Sequence, residues 1–326
     1  MKQFARIFAA IFSIFILGAT IWGIINYRQV LDFFALQGYE PPARISELAT
    51  VTTMNDKTRR VFYVNQPLIQ PKVEFKNSCT REEETIVLGC FVENDGIYLL
   101  EVTDPRLSGI IEVKAAHEVL HAMYDRLREE ERVEIDRQST ALFETLQNPR
   151  IRKNVENYRA KDPSIVANEL HSILGTEVRN LTPELEQYYS RYFNDRQAIV
   201  AFSEKYEQTF VDLENQVEQL KNQLEQLKKQ LDQGEAELES LGGQIDEQRS
   251  RLDSLLGSGR VDEYNAGVAS FNGLVNRYND LIQQRKSKIA RYNELVTQYN
   301  EVATQEAELV DSLKGVPQEV QGTVPN

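Results

Sequence analysis

Between Leu213 and Leu313 apolar side chains return every seven residues, a repeat that leaves a chain very few ways to fold. One seam runs through Val217, Leu224, Leu231, Leu238, Ile245 and Leu252, with Leu213, Leu220, Leu227 and Leu241 at its second position. After Gly257-Ser258-Gly259 the repeat resumes at Val261, Val268, Val275, Ile282, Ile289, Val296 and Val310. Tyr264, Phe271, Tyr278, Tyr292, Tyr299 and Leu313 take its second positions. A helix buries such a stripe only against another helix. The glycine-rich interruption makes that partner the chain itself, as an antiparallel coiled-coil hairpin over 204–314. Each arm reaches roughly 75 Å at 1.5 Å per residue. The polar tail, 315–326, has too little apolar content to order itself and is expected to be disordered.

The opposite end of the chain is apolar. No charge occurs from Ile7 to Tyr27, and about 20 such residues are what a helix needs to cross a bilayer core. Lys2 and Arg6 precede the run, while Arg28 alone follows before Asp32. That bias puts the N-terminus in the cytoplasm and the rest of the chain on the extracytoplasmic side. Trp22 and Tyr27 suit the outer interface. A cleaved signal peptide is the competing reading. Its apolar core would be shorter, and Leu17-Gly18-Ala19 is a poor cleavage site, so residues 1–27 are expected to be a retained transmembrane signal anchor.

Residues 28–203 have the mixed signals of a small α+β domain. A juxtamembrane helix, a break at Pro41-Pro42 and a second short helix come first. Arg60–Val64, Thr85–Val92 and Ile97–Val102 read as short strands, the last two joined by the turn Asn94-Asp95-Gly96. A helix is expected from about Pro105 to Glu130, with two or three more over 131–176. One of these opens at Asp162-Pro163, and another runs from Thr182-Pro183-Glu184 without a clear stop before Gly257. The two cysteines, Cys79 and Cys90, cannot make a thiolate zinc site, but beyond a membrane they can close a short disulfide loop. A net charge of −13 excludes nucleic acid as partner, because phosphate binding needs a basic face.

The chemistry sits in His117-Glu118-Val119-Leu120-His121. Histidines four apart on a helix project from one face at a separation one metal ion can bridge. Zinc suits nitrogen and oxygen donors and leaves a position for water. Glu118, beside the first histidine, is placed to act as general base. The chain has only 3 histidines, and two are here. A third ligand must come from elsewhere, and Asn168-Glu169-Leu170-His171-Ser172 and Glu177 supply the candidates. Glu169 shares a helical face with Ile165 and Ile173 and is favoured. His171, about 200° further round, is an alternative ligand or an oxyanion stabiliser, and Glu177 is a third alternative.

The helix motif, followed by Asn168-Glu169-x-x-Ser172, resembles the gluzincin branch of zinc metallopeptidases. The resemblance implies one zinc ion held by His117, His121 and Glu169, with Glu118 as general base. It also implies a zincin-like domain with a short sheet above a mainly helical lower part. Many gluzincins place an aspartate after the serine to orient a ligand histidine, whereas this chain has Ile173. The metzincin pattern, with a further histidine shortly after the helix, is absent. In zincins the strand upstream of the metal helix pairs with extended substrate, which would make Ile97–Val102 the substrate edge. A fully paired core strand is the competing reading.

The expected activity is hydrolysis of a peptide bond, or of another amide, by a membrane-anchored enzyme whose domain lies outside the cytoplasm. The alternative is an interaction or scaffold protein whose hairpin binds a protein partner and whose metal domain is vestigial.

Overall fold

The computed structural model describes residues 2–79 and 87–313. The protein is mostly helical, with a small three-stranded sheet and a long helical C-terminal part. It divides into two compact units, one holding everything up to Thr209 together with the chain from Leu309, the other Phe210–Glu308.

In the first unit, α1 (Lys2–Ile25) and α2 (Tyr27–Ala35) are followed by α3 (Ala43–Val51) and α4 (Asp56–Val64). Arg60–Val64, expected as a strand, is thus helical. Its β-branched and aromatic residues favour a strand, but Asn55 accepts a hydrogen bond from the Thr58 amide and caps a helix. The packing of Val61 and Phe62 into the core then decides the outcome. Among the described residues no single helix is long and apolar enough to cross a membrane. Ile11–Ile25 and Tyr27–Ala35 meet that test only together, as a pair bent by 81°.

The sheet has the order β1-β3-β2, from β1 (Leu68–Gln70), β2 (Gly89–Val92) and β3 (Gly96–Leu100). β3 runs parallel to β1 and antiparallel to β2. The expected hairpin turn is present, with Asn94 in the left-handed region and the Asp95 amide bonded to the Val92 carbonyl. Thr85 and Ile86, where the expected strand begins, lie outside the described residues. The central position of β3 decides between the two readings of Ile97–Val102: it is the paired core strand and not a substrate edge, and the edges are β1 and β2. Between β1 and β2, α5 (Lys72–Ser78) ends at Cys79, which is joined to Cys90 of β2 by a disulfide.

α6 (Ile110–Asp125) starts later than its periodicity suggests, after a 3-10 turn at Pro105–Leu107. Gly109 separates the two with φ +106°, and a Cβ there would lie 2.8 Å from the Phe202 carbonyl oxygen. Three helices follow, α7 (Glu129–Thr145), α8 (Pro149–Lys161) and α9 (Val166–Glu177). Asp162 does not cap α9 directly. It closes a turn by accepting from the Ser164 amide and hydroxyl, and α9 begins after it.

The helix from Thr182 is interrupted. α10 (Pro183–Tyr189) is capped by Thr182, and α11 (Arg196–Gly257) is a separate helix. Between them the backbone turns aside to bond with residues 53–55, through Asn55 N to Tyr192 O and Asn194 N to Thr53 O. Arg196, at the root of α11, is buried. Its guanidinium donates to the carbonyls of Val178 and Arg179 at 2.6 and 2.8 Å and pairs with Glu186, so it caps the C-terminal end of α9.

In the second unit α11 continues to Gly257, and α12 (Val261–Leu313) returns after a turn with Gly259 at φ +74°. Arg277 pairs with Glu237 and Arg285 with Glu235, so numbers rise on one helix as they fall on the other. Leu241 and Leu252 are buried on the expected seam of α11. On α12 the deepest residues of this unit are Leu295 and Val302, whereas Val261 and Ile289 are exposed. The first core series of α12 therefore lies one position before the one expected at Leu295 and Val302, whereas the expected second positions, Tyr264, Phe271, Tyr278, Tyr292, Tyr299 and Leu313, do lie on the inward side.

Candidate metal centre

The centre is made where α9 crosses α6. Gly175 sets the closeness of that crossing, since a Cβ there would fall 2.4 Å from Leu120 Cδ1 and 2.8 Å from the Tyr189 ring. Van der Waals packing of Leu120, Ile173 and Leu174 in the core fixes the rotation of both helices. His117 and His121 then project from α6 towards Glu169 of α9, and all three are buried.

Two distances decide what the triad is. His117 Nε2 lies 3.5 Å from Glu169 Oε2, and His121 Nε2 lies 3.6 Å from Oε1. Charge-assisted hydrogen bonds close to about 2.7–2.9 Å, so these are too long for direct pairing. Two donors each about 2.05 Å from one ion at a tetrahedral angle stand about 3.4 Å apart. The three donor atoms lie within 4.8 Å of one another. His117, His121 and Glu169 are therefore a buried group that can hold a metal ion.

The outer contacts favour the same use. His121 Nδ1 is 2.9 Å from Asn168 Oδ1 and 3.3 Å from Ser172 Oγ. With Nδ1 protonated and donating to Asn168, Nε2 keeps its lone pair and faces Glu169. His117 Nδ1 is buried and has no hydrogen bond among the described residues, 4.0 Å from Glu177 Oε1. Burial opposes ionisation of Glu169, yet the neighbouring His121 and His117, with Lys114 beyond them, bring its pKa down to about 2. Glu177 is buried too, and Lys114 and Arg150 hold its pKa at about 2, with His117 adding to them. Both carboxylates are thus anionic at neutral pH.

Glu118 faces a cavity of about 100 Å³ lined also by the three donors, Lys114, Tyr158 and the β2 residues Gly89, Cys90 and Phe91. A Cβ on Gly89 would stand 2.7 Å from Glu118 Oε1, so the strand backbone lies directly on the carboxylate. Only an edge strand can offer free backbone groups to a ligand here, and among the described residues β2 is bonded on one side alone.

His171 is not part of this centre. It is fully buried on the other side of α9, its Nε2 3.0 Å from the Tyr188 hydroxyl and its ring packed among Tyr124, Tyr188, Tyr189 and Tyr192. Burial, with His121 and His117 adding to it, drives its pKa down to about 3, so it is neutral. Glu177 stands behind His117 and outside the donor group, tied to Arg150 at 2.8 Å and Lys114 at 3.7 Å. Sequence reasoning missed Lys114, Arg150 and Gly89. Lys114 carries a faint signal, lying one turn before His117, while Arg150 and Gly89 reach the site only through tertiary packing.

Compared with protein-family models, curated proteins and solved structures, the chain matches none.

Proposed function

We propose that the protein is a zinc-dependent peptidase of gluzincin type, anchored by its N-terminal segment with the domain outside the cytoplasm. The observation that carries this reading is the spacing of Glu169 from both imidazoles, 3.5 and 3.6 Å, in a buried group. His117, His121 and Glu169 would hold the ion. Bound there, zinc would supply Lewis acidity, enough to lower the pKa of water to about 7. Glu118 takes a proton from water and returns it to the leaving amine. Asn168 and Ser172 orient His121 through Nδ1, and Glu177, 4.0 Å from His117 Nδ1, would orient that ring after closing by about 1 Å, a role that the aspartate replaced by Ile173 does not fill. The edge of β2 pairs with an extended peptide, its backbone groups holding the chain in register beside Glu118. Lys2 and Arg6 ahead of the apolar run support the orientation in the membrane.

The deciding experiment compares the wild type with E118Q in detergent. The expected result is one equivalent of zinc in both and hydrolysis of a peptide mixture by the wild type alone. Undiminished hydrolysis by E118Q would overturn the mechanism.

A second reading rests on Phe210–Glu308, a long helical pair that contributes no residue to the donor group. In it the pair is a coiled coil that binds a protein partner, and the metal domain is vestigial. Purified protein carrying less than about half an equivalent of zinc would favour it.

A further inference from the structure

The amphipathic helix α2 is mounted the wrong way round for a domain surrounded by water. Its polar side faces the protein. Asp32 is only 6 % exposed and receives both terminal nitrogens of Arg126, at 2.7 and 3.0 Å. Arg28, on the same side, reaches the Asp125 carbonyl at 3.0 Å and its carboxylate at 3.2 Å. The apolar side faces out, with Leu31 61 % and Phe34 66 % exposed and Tyr27 one turn before them. A surface helix in water normally presents the reverse arrangement.

What covers that side is indicated by what precedes it. α1 exposes Ile14, Phe15, Leu17, Ile24 and Ile25, and Asn26 alone separates it from α2. The two axes meet at 81°. If α1 stands across a bilayer, a helix nearly perpendicular to it lies in the plane of the membrane surface. Trp22 and Tyr27 flank the bend, where aromatic residues suit the interface. We infer that α2 is an interfacial helix, its Tyr27-Leu31-Phe34 side sunk in the outer lipid surface and its Arg28-Asp32 side clamped to the domain. The Asp32–Arg126 and Arg28–Asp125 pairs then seat the first unit against lipid, rather than leaving it to swing on a tether. This inference rests on the proposed anchor and adds a second, lateral contact with lipid.

The test uses the full chain in phosphatidylcholine vesicles, with or without bromine on the acyl chains next to the headgroup. The wild type has a single tryptophan, Trp22, which reports the anchor. W22F/L31W and W22F/F34W report α2, and W22F/V133W reports the exposed position Val133 on α7. The expected result is about a twofold loss of emission at positions 31 and 34 in brominated vesicles, with position 133 unchanged. Quenching of Trp22 without quenching at either 31 or 34 overturns the inference and leaves the anchor standing. Quenching at none of these positions overturns both. Emission at 31 and 34 that responds to protein concentration instead of bromine assigns the side to a protein partner and overturns the inference as well.

Discussion

Glu177 Oε1 stands 4.0 Å from His117 Nδ1, and that ring nitrogen is buried with no hydrogen bond among the described residues. Arg150 holds the other carboxylate oxygen and Lys114 shares Oε1, so the position of Glu177 does not depend on the imidazole alone. A shift of about 1 Å would complete a bond that fixes the tautomer with Nε2 free. E177Q keeps the shape and removes the charge. It should weaken zinc binding by about 10–100-fold in a chelator competition titration. An affinity equal to that of the wild type would mean that Glu177 serves only its two cations.

Gly89 offers a test of Glu118 that leaves the carboxylate in place. In G89A the new methyl would meet Oε1 at 2.7 Å and push the side chain aside. Because a general base contributes about 10²–10⁴-fold, hydrolysis should fall at least about tenfold. Zinc content, read by atomic emission, should stay at one equivalent.

H171A and E169A should separate stability from metal binding. Removing the His171 ring opens a hole among Tyr124, Tyr188, Tyr189 and Tyr192, expected to cost about 2–4 kcal/mol in urea unfolding while zinc content is kept. E169A should lose zinc and with it the response to the metal. For the wild type, zinc at 100 times its Kd adds about 2.7 kcal/mol, seen as a rise in Tm that chelator reverses. A zinc-dependent Tm in E169A would exclude Glu169 as a ligand.

Arg196 is a buried structural position outside the centre. Replacing it with Met leaves Glu186 and the carbonyls of Val178 and Arg179 without their donor, an expected cost of about 3–5 kcal/mol. Urea unfolding would show the loss. R196K should recover only part of it, because an ammonium cannot span that fork of acceptors.

What could be read from the residues followed their periodicity and local chemistry. The i, i+4 spacing of His117 and His121 needs only a helix to place both on one face, and the Asn94-Asp95-Gly96 turn needs only its own left-handed backbone. Arg60–Val64 was harder, because propensity there favours a strand while the cap at Asn55 and burial of Phe62 favour a helix. A seven-residue spacing on α12 is satisfied by several neighbouring stripes, so Leu295 and Val302 became distinguishable only against α11. The break after α10 is made by backbone bonds to residues 53–55, more than a hundred positions away, which no local pattern encodes. Glu177 and Arg150 meet for the same reason.

The clasp of Arg196 on the end of α9, with the tight crossing at Gly175, also bears on how an ion would be received. The carboxylate is delivered by a helix fastened and wedged in its last turn, and the imidazoles by a helix buried along most of its length. An ion entering between donors so constrained has almost no chain to immobilise. Its coordination energy goes into affinity instead of into assembling the cage.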